Sequence, residues 1–269
     1  MAMDEKARNR PGDAEETGVA GKGLNPESDE RFDIGVVGGV GPAATVDFLD
    51  KIIRHTPADN DQDHLRMIVV HDPKIPGFSA NLVGDGPDPT AALSTACKRL
   101  EANGVRMIAI PCNTAHAFIE RIQPHLSVPV VNMLFETMQH IERHHGVIRR
   151  IGLLATDGTV KSRIYHGLIE HSGRSIVIPD DEHQRMLMNV IFGRRGVKAG
   201  YTDGVCLAEF RQVLKHIINA GAELVILGCT ELPLVSAGVG AGSESGKVIR
   251  MLDPGDILAR RCVEISTGA

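Results

Sequence analysis

No apolar run in the chain exceeds about six residues, against the ~20 needed to cross a bilayer, and the amino terminus lacks the apolar stretch of a secretory leader. No membrane partner is expected, and cytoplasmic residence is. Positive charge is not in excess either: 29 Lys and Arg stand against 34 Asp and Glu, a formal net charge of −5. A phosphate backbone demands clustered basic residues, so nucleic acid is not an expected partner. Paired cysteines are also lacking. Five occur, at 97, 112, 206, 229 and 262, an odd number with no close Cys-x-x-Cys spacing, which argues against a disulfide framework.

What is present is the mix of an ordinary globular protein, 42% apolar and 23% charged over 269 residues, enough for roughly two domains. Residues 1–31 carry almost nothing to bury and are expected to form a disordered tail. From Phe32 onward short apolar runs begin: Ile34 to Val37, Met67 to His71, Arg106 to Ile110, Val128 to Val131, Ile151 to Ala155, Ser175 to Ile178, Glu223 to Leu227 and Val248 to Leu252. Each is strand-length and nearly continuous, as strands buried on both faces of a parallel sheet are. Between them lie amphipathic stretches, Val46 to His55, Pro89 to Asn103, Met133 to His145 and Leu207 to Ala220. The alternation predicts an α/β fold with crossover helices.

An internal repeat refines this. Ile34-Gly35 and Ile151-Gly152 open similar strands 117 positions apart; Gly104 and Gly221, each closing a helix before a strand, have the same separation, and so do Cys112 and Cys229, each just past the strand that follows. Two homologous α/β halves of about four strands each are expected. Residues 32–128 with 253–269 would form the first and 129–252 the second, with the two sheets related by a pseudo-twofold. Ligands of open α/β sheets bind outside the carboxyl ends of the strands. Cys112 and Cys229 would therefore flank one cleft between the halves.

Two facing thiols suit a reaction in which one removes the α-proton of a substrate and the other delivers a proton to the opposite face. That is cofactor-free racemisation or epimerisation. A thiol with a pKa of ~8.5 is only about 3% thiolate at pH 7, so such chemistry needs a setting that favours the thiolate. Asn113, Thr114 and Thr230 favour helix starts just after each cysteine, and a helix amino terminus both lowers a thiol pKa and holds a carboxylate. Cys97, Cys206 and Cys262 lie in helix-like stretches and read as buried structural residues.

Pro-Cys-Asn-Thr-Ala-His at 111–116 and Gly-Cys-Thr-Glu at 228–231 resemble the two cysteine motifs of the aspartate/glutamate racemase superfamily, and Gly38-Gly39-Val40-Gly41-Pro42 resembles the opening loop of its aspartate racemase branch. The resemblance runs from about Asp33 to Ile265. It implies two flavodoxin-like domains with the site between them, a small amino-acid or dicarboxylate substrate, independence of pyridoxal phosphate and metals, and a homodimer. Cys112 and Cys229 would be the proton donors and acceptors. Asn113, Thr114, Ala115 and Thr230 would hold the substrate carboxylate, and Gly41, Thr45, Ser79, Lys198 and Glu231 would complete the substrate site. L- and D-aspartate are the substrates implied. In one place the chain departs from the pattern: Phe78 stands where that branch carries an arginine. Either Arg185, Arg194 or Arg195 compensates, or the substrate side chain is less acidic.

Other readings of the same residues remain. Gly39-x-Gly41-x-x-Ala44 with Asp72 matches a dinucleotide fingerprint, though it leaves the thiols idle. Cys112, His116 and Cys229 could ligate zinc. Malonate decarboxylation needs one cysteine, maleate isomerisation uses two, and a binding module would need neither thiol.

Overall fold

The computed structural model describes residues 30–239 and 249–268; the tail reading of residues 1–29 lies outside them, as does the start of the last strand at Val248. In chain order the elements are β1 (Ile34–Gly38), α1 (Pro42–His55), β2 (Met67–His71), α2 (Phe78–Val83), α3 (Thr90–Ala102), β3 (Ile108–Ala109), α4 (Ile119–Ile122), α5 (Met133–His144), β4 (Arg150–Leu154), α6 (Asp157–Lys161), α7 (Ile164–His171), β5 (Ser175–Val177), α8 (Asp181–Phe192), α9 (Gly204–Asn219), β6 (Leu224–Leu227), α10 (Leu232–Ser236), β7 (Arg250–Leu252) and α11 (Pro254–Thr267).

The strands build two parallel sheets, ordered β2-β1-β3 and β5-β4-β6-β7. Val130 extends the first by a parallel bridge to Ile108, so both sheets share one strand order, and this bridge reaches past residue 128. The repeat also governs register. Gly35 pairs with Ile108 and Val36 with Ala109 in the first sheet; Gly152 pairs with Val225 and Leu153 with Ile226 in the second, each partner 117 positions later. The two central glycines face matching neighbours. A Cβ on Gly35 would press on Val105 and Leu100, and one on Gly152 on Ala222 and Ile217.

Both sheets are covered on two faces. Val37 points into one apolar cluster with Leu93, Leu100 and Phe118, whereas Ile34 and Val36 point into another with Phe48, Met107 and Leu258. In the second sheet Leu154 packs with Leu187, Val190 and Phe210, and Ile151 and Leu153 pack with Tyr165 and Ile169. Alternate side chains thus enter opposite layers, and a run buried on both faces must be apolar throughout.

The largest changes from the expected bounds are in three elements. The strand expected at 106–110 shrinks to Ile108–Ala109, because the chain turns at once: Pro111 has no N–H, and the Cys112 N–H donates to the Ile110 carbonyl at 2.7 Å. The run at 128–131 makes a single bridge, since Pro129 brings no donor to a ladder and suits only an edge. Helix α1 starts four residues earlier than the apolar pattern indicated, with Pro42 in its first turn, where its missing N–H costs nothing.

The chain ends by packing on its own beginning. Helix α11 lies against α1 and α5, and Lys51 of α1 is buried in an ion pair with both Asp47 and Asp253. Asp253 also caps α11, accepting from the Gly255 N–H at 2.7 Å and the Asp256 N–H at 3.2 Å. Asp253→Ala therefore leaves the buried Lys51 with Asp47 as its remaining carboxylate and uncaps the helix together, and is expected to lower unfolding stability by about 2 kcal/mol. Asp253→Asn, which can keep the cap, should lose less; urea unfolding of both variants measures the difference.

Candidate active site

A cavity of about 580 Å³ is lined by Gly39–Pro42 after β1, Ile75–Ala80 after β2, Cys112–Thr114 after β3, Thr156 and Asp157 after β4, Cys229–Glu231 after β6, and by Met188, Phe192 and Lys198. Five of these segments follow the carboxyl end of a strand, where an open α/β sheet exposes backbone groups and places ligands. The two cysteine motifs are bonded to each other: the Thr230 hydroxyl donates to the Pro111 carbonyl at 3.2 Å. Of the residues predicted from sequence, Gly41, Ser79, Cys112, Asn113, Thr114, Lys198, Cys229, Thr230 and Glu231 all meet at this cavity.

Thr45 and Ala115 do not. The Thr45 hydroxyl is spent inside the glycine loop, donating to the Gly41 carbonyl at 2.8 Å and accepting from the Gly39 N–H at 3.0 Å. It shapes the loop rather than touching a ligand, and it takes an N–H that a dinucleotide phosphate would require. Ala115 is fully buried, and its N–H is directed at the Cys112 sulfur.

The expected helix starts differ as well. After Cys112 the chain forms a tight 3₁₀ turn over Thr114–Phe118 and only then the one-turn α4, while α10 begins at Leu232; neither start has a side-chain cap bond. Turns this short supply little dipole. Burial instead pushes the Cys112 thiol up to about 11, with the Ala115 and Thr114 N–H groups and the Lys198 charge pulling it down and Glu231 pushing it further up. Cys229 is raised well above the usual thiol range by burial and by the Glu231 carboxylate.

The surroundings of the two thiols are unlike. Cys229 donates to Glu231 Oε2 at 3.0 Å, and Glu231 Oε1 forms an ion pair with Lys198. Burial works against the Lys198 charge, but the Glu231 carboxylate with the Cys229 and Cys112 sulfurs together hold the ammonium form above its ordinary range. Gly41 makes room for this pair, since a Cβ there would overlap Glu231 Oε1 and approach Lys198 Nζ. Beside Cys112, Asn113 is 1% exposed. Its Oδ1 accepts from the Tyr165 hydroxyl at 2.6 Å, which orients the amide, and its Nδ2 has no protein partner. A buried donor left without a partner is costly. The Thr114 hydroxyl lies 2.8 Å from that of Thr159 and 3.4 Å from that of Thr156.

His116 is not available as a ligand. Its Nδ1 faces the Cys112 carbonyl at 2.9 Å and its Nε2 accepts from the Met133 N–H at 3.1 Å, so both ring nitrogens are engaged in fixing the turn. Among the described residues, Asp180, His183 and His216 also bring ligand atoms within 4.8 Å of one another, but the two rings stack at 3.8 Å and none of the three lines the cavity. Arg185, Arg194 and Arg195 do not line it either, and among the described residues no arginine does; Phe78 is buried against Phe118. Cys97 and Cys262 sit in apolar clusters with their thiols pushed up to about 12 by burial. Sequence reasoning missed Thr156, Tyr165, Met188 and Phe192. Thr156 was findable, since it lies 117 positions after Gly39; the others carry no local signal.

Comparison with known proteins bears on the family and the fold. The family model for Asp/Glu/Hydantoin racemase matches residues 37–262. The broad specificity amino-acid racemase RacX of Bacillus subtilis (strain 168) is 29% identical over 206 residues, 75% of this chain and 86% of that one. The aspartate racemase of Picrophilus torridus superposes with a TM-score of 0.71 at 29% identity, over 87% of this chain and 94% of that one. A glutamate racemase from Francisella tularensis, 16% identical with a TM-score of 0.63 over 87% and 81% of the two chains, shares the fold.

Cys112 is the partly exposed thiol of the five, so brief treatment with iodoacetamide should modify it first. Because its thiolate is scarce below a pKa of about 11, the modification rate should rise about tenfold per unit between pH 7 and 9. Peptide mass mapping over a time course checks both the order and the slope.

Proposed function

The chain belongs to the Asp/Glu/Hydantoin racemase family, and on that premise we propose that it is an isomerase inverting the α-carbon of an amino acid by two-base proton transfer between Cys112 and Cys229, without a cofactor. The observation that carries this reading is that the repeat brings both cysteines to the wall of one cavity, clamped together through Thr230 and Pro111. A pseudo-twofold between the halves would place the thiols on opposite sides of the substrate.

In the forward direction one sulfur, as thiolate, takes the α-proton; the electron pair delocalises into the α-carboxylate; the opposite thiol then donates its proton to the other face. One C–H bond breaks, one forms, and the thiol and thiolate exchange places. The Asn113 Nδ2 donor and the Thr114 hydroxyl would hold the carboxylate as its charge grows, which is when hydrogen bonds count most. The Thr114 and Ala115 N–H groups make the Cys112 side the better home for a thiolate. Glu231 would keep Cys229 protonated until needed, with Lys198 offsetting its charge. A family resemblance to aspartate racemases implies aspartate as substrate; that substrate requires a cation for its second carboxylate, and Lys198 is already paired.

In deuterium oxide the protein should exchange the α-hydrogen of its substrate and invert it, while maleate stays inert. Cys112→Ser and Cys229→Ser should each lower inversion by at least ~10³-fold. Each variant should still exchange the α-hydrogen of one enantiomer without inversion, the remaining cysteine reaching one face. Inversion at the normal rate in either variant would overturn the two-base reading. With Cys112 raised to about 11, kcat/KM should climb with pH from 6 to 8 by about tenfold per unit, since deprotonation creates the active thiolate; a flat profile would show that no thiol titrates in the reaction.

A further inference from the structure

Proton transfer occurs at the α-carbon, and the rest of the cavity must accept the side chain that carbon carries. The wall contributed by the turn before α2, by α2 itself and by α8 is apolar: Ile75, Pro76, Phe78, Val83, Met188 and Phe192. Charge on the lining has the wrong sign for an acid. Lys198 is its single cation among the described residues, against three carboxylates, Asp85, Asp157 and Glu231. That cation is already the partner of Glu231 and also sits 5.5 Å over the Phe192 ring.

Resting on the racemase reading, we infer that the substrate is an α-amino acid with an uncharged apolar side chain, of the leucine, methionine or phenylalanine class, rather than aspartate or glutamate. A second carboxylate entering this cavity would leave water without gaining a cation, and an ion so buried is costly. It would also face a lining of net negative charge. A lysine-like side chain meets the converse problem: Asp85 is exposed at the rim, where ion pairs contribute little, and Asp157 already accepts from Gln184 Nε2 at 2.7 Å. An apolar chain needs neither, and gains from leaving water.

The test follows α-hydrogen exchange by proton NMR in deuterium oxide, with chiral chromatography, for L-leucine, L-methionine, L-phenylalanine, L-aspartate, L-glutamate and L-lysine. At least one of the first three should exceed aspartate, glutamate and lysine in kcat/KM by ~100-fold. Met188→Arg, which puts a cation in the wall at a partly exposed helix position, should raise the aspartate-to-methionine ratio by at least ~10-fold. Preference for aspartate, glutamate or lysine would overturn the inference while leaving racemisation standing. An unchanged ratio in Met188→Arg would overturn the assignment of α8 to the side-chain wall. Exchange with none of the six would overturn the racemase reading, and this inference with it.

Discussion

One hydrogen bond, from the Thr230 hydroxyl to the Pro111 carbonyl, holds the site to its shape. It joins the residue after one cysteine to the residue before the other, at strand ends belonging to different sheets. The glycine loop after β1, the apolar wall after β2 and Thr156 after β4 face the same cavity. The clamp is possible because both halves repeat one strand order and one central register, so that equivalent turns emerge at equivalent heights. A slip of one residue in either sheet would reverse which side chains face inward.

Placing thiols in such a cavity has an electrostatic cost. Burial raises both, and the short turns that follow them provide no helix dipole large enough to reverse it. What remains is local: individual N–H groups aimed at Cys112, and a carboxylate and an ammonium beside Cys229. Gly41 enters here as a spatial requirement, since the Lys198–Glu231 pair occupies the volume its Cβ would fill. Beyond burial, the protonation of the two thiols is thus set by a few directed groups, each replaceable by mutation.

Much of this was legible in the sequence because burial on both faces leaves a mark that periodicity detects. The 117-residue repeat, the strand at 34–37 and the meeting of both cysteines at one cavity follow from it, and the half-buried strand at 67–71 was legible from its apolar run alone. What was not legible depended on side-chain partners distant along the chain. Tyr165 orients Asn113 across 52 positions, and nothing near either residue announces it. Thr45 belongs to a loop motif, yet only the structure shows its hydroxyl spent on Gly41 and Gly39. The expected compensating arginines failed for a similar reason: Arg185 is close in sequence to the cavity-lining Met188, but its position on α8 turns it outward, to the Asp181 carbonyl.

The duplication is most informative where it breaks. Thr114 and Glu231 occupy equivalent places, two residues after each cysteine, and they do opposite things. Thr114 joins a neutral hydroxyl cluster and offers its N–H to Cys112, whereas Glu231 puts a negative charge on Cys229 and takes a hydrogen bond from it. On the proposed two-base reading, a symmetric pair would form its scarce thiolate equally on either sulfur. On the same reading, the asymmetry would give the proton a preferred home on Cys229 and the thiolate a preferred home on Cys112. Because racemisation has an equilibrium constant of one, such a bias could not favour a product; it could only make the two directions differ in how the protein must be reset between turnovers. On that reading the repeat would supply the two faces, and the Thr114/Glu231 difference would decide which of them is ready first.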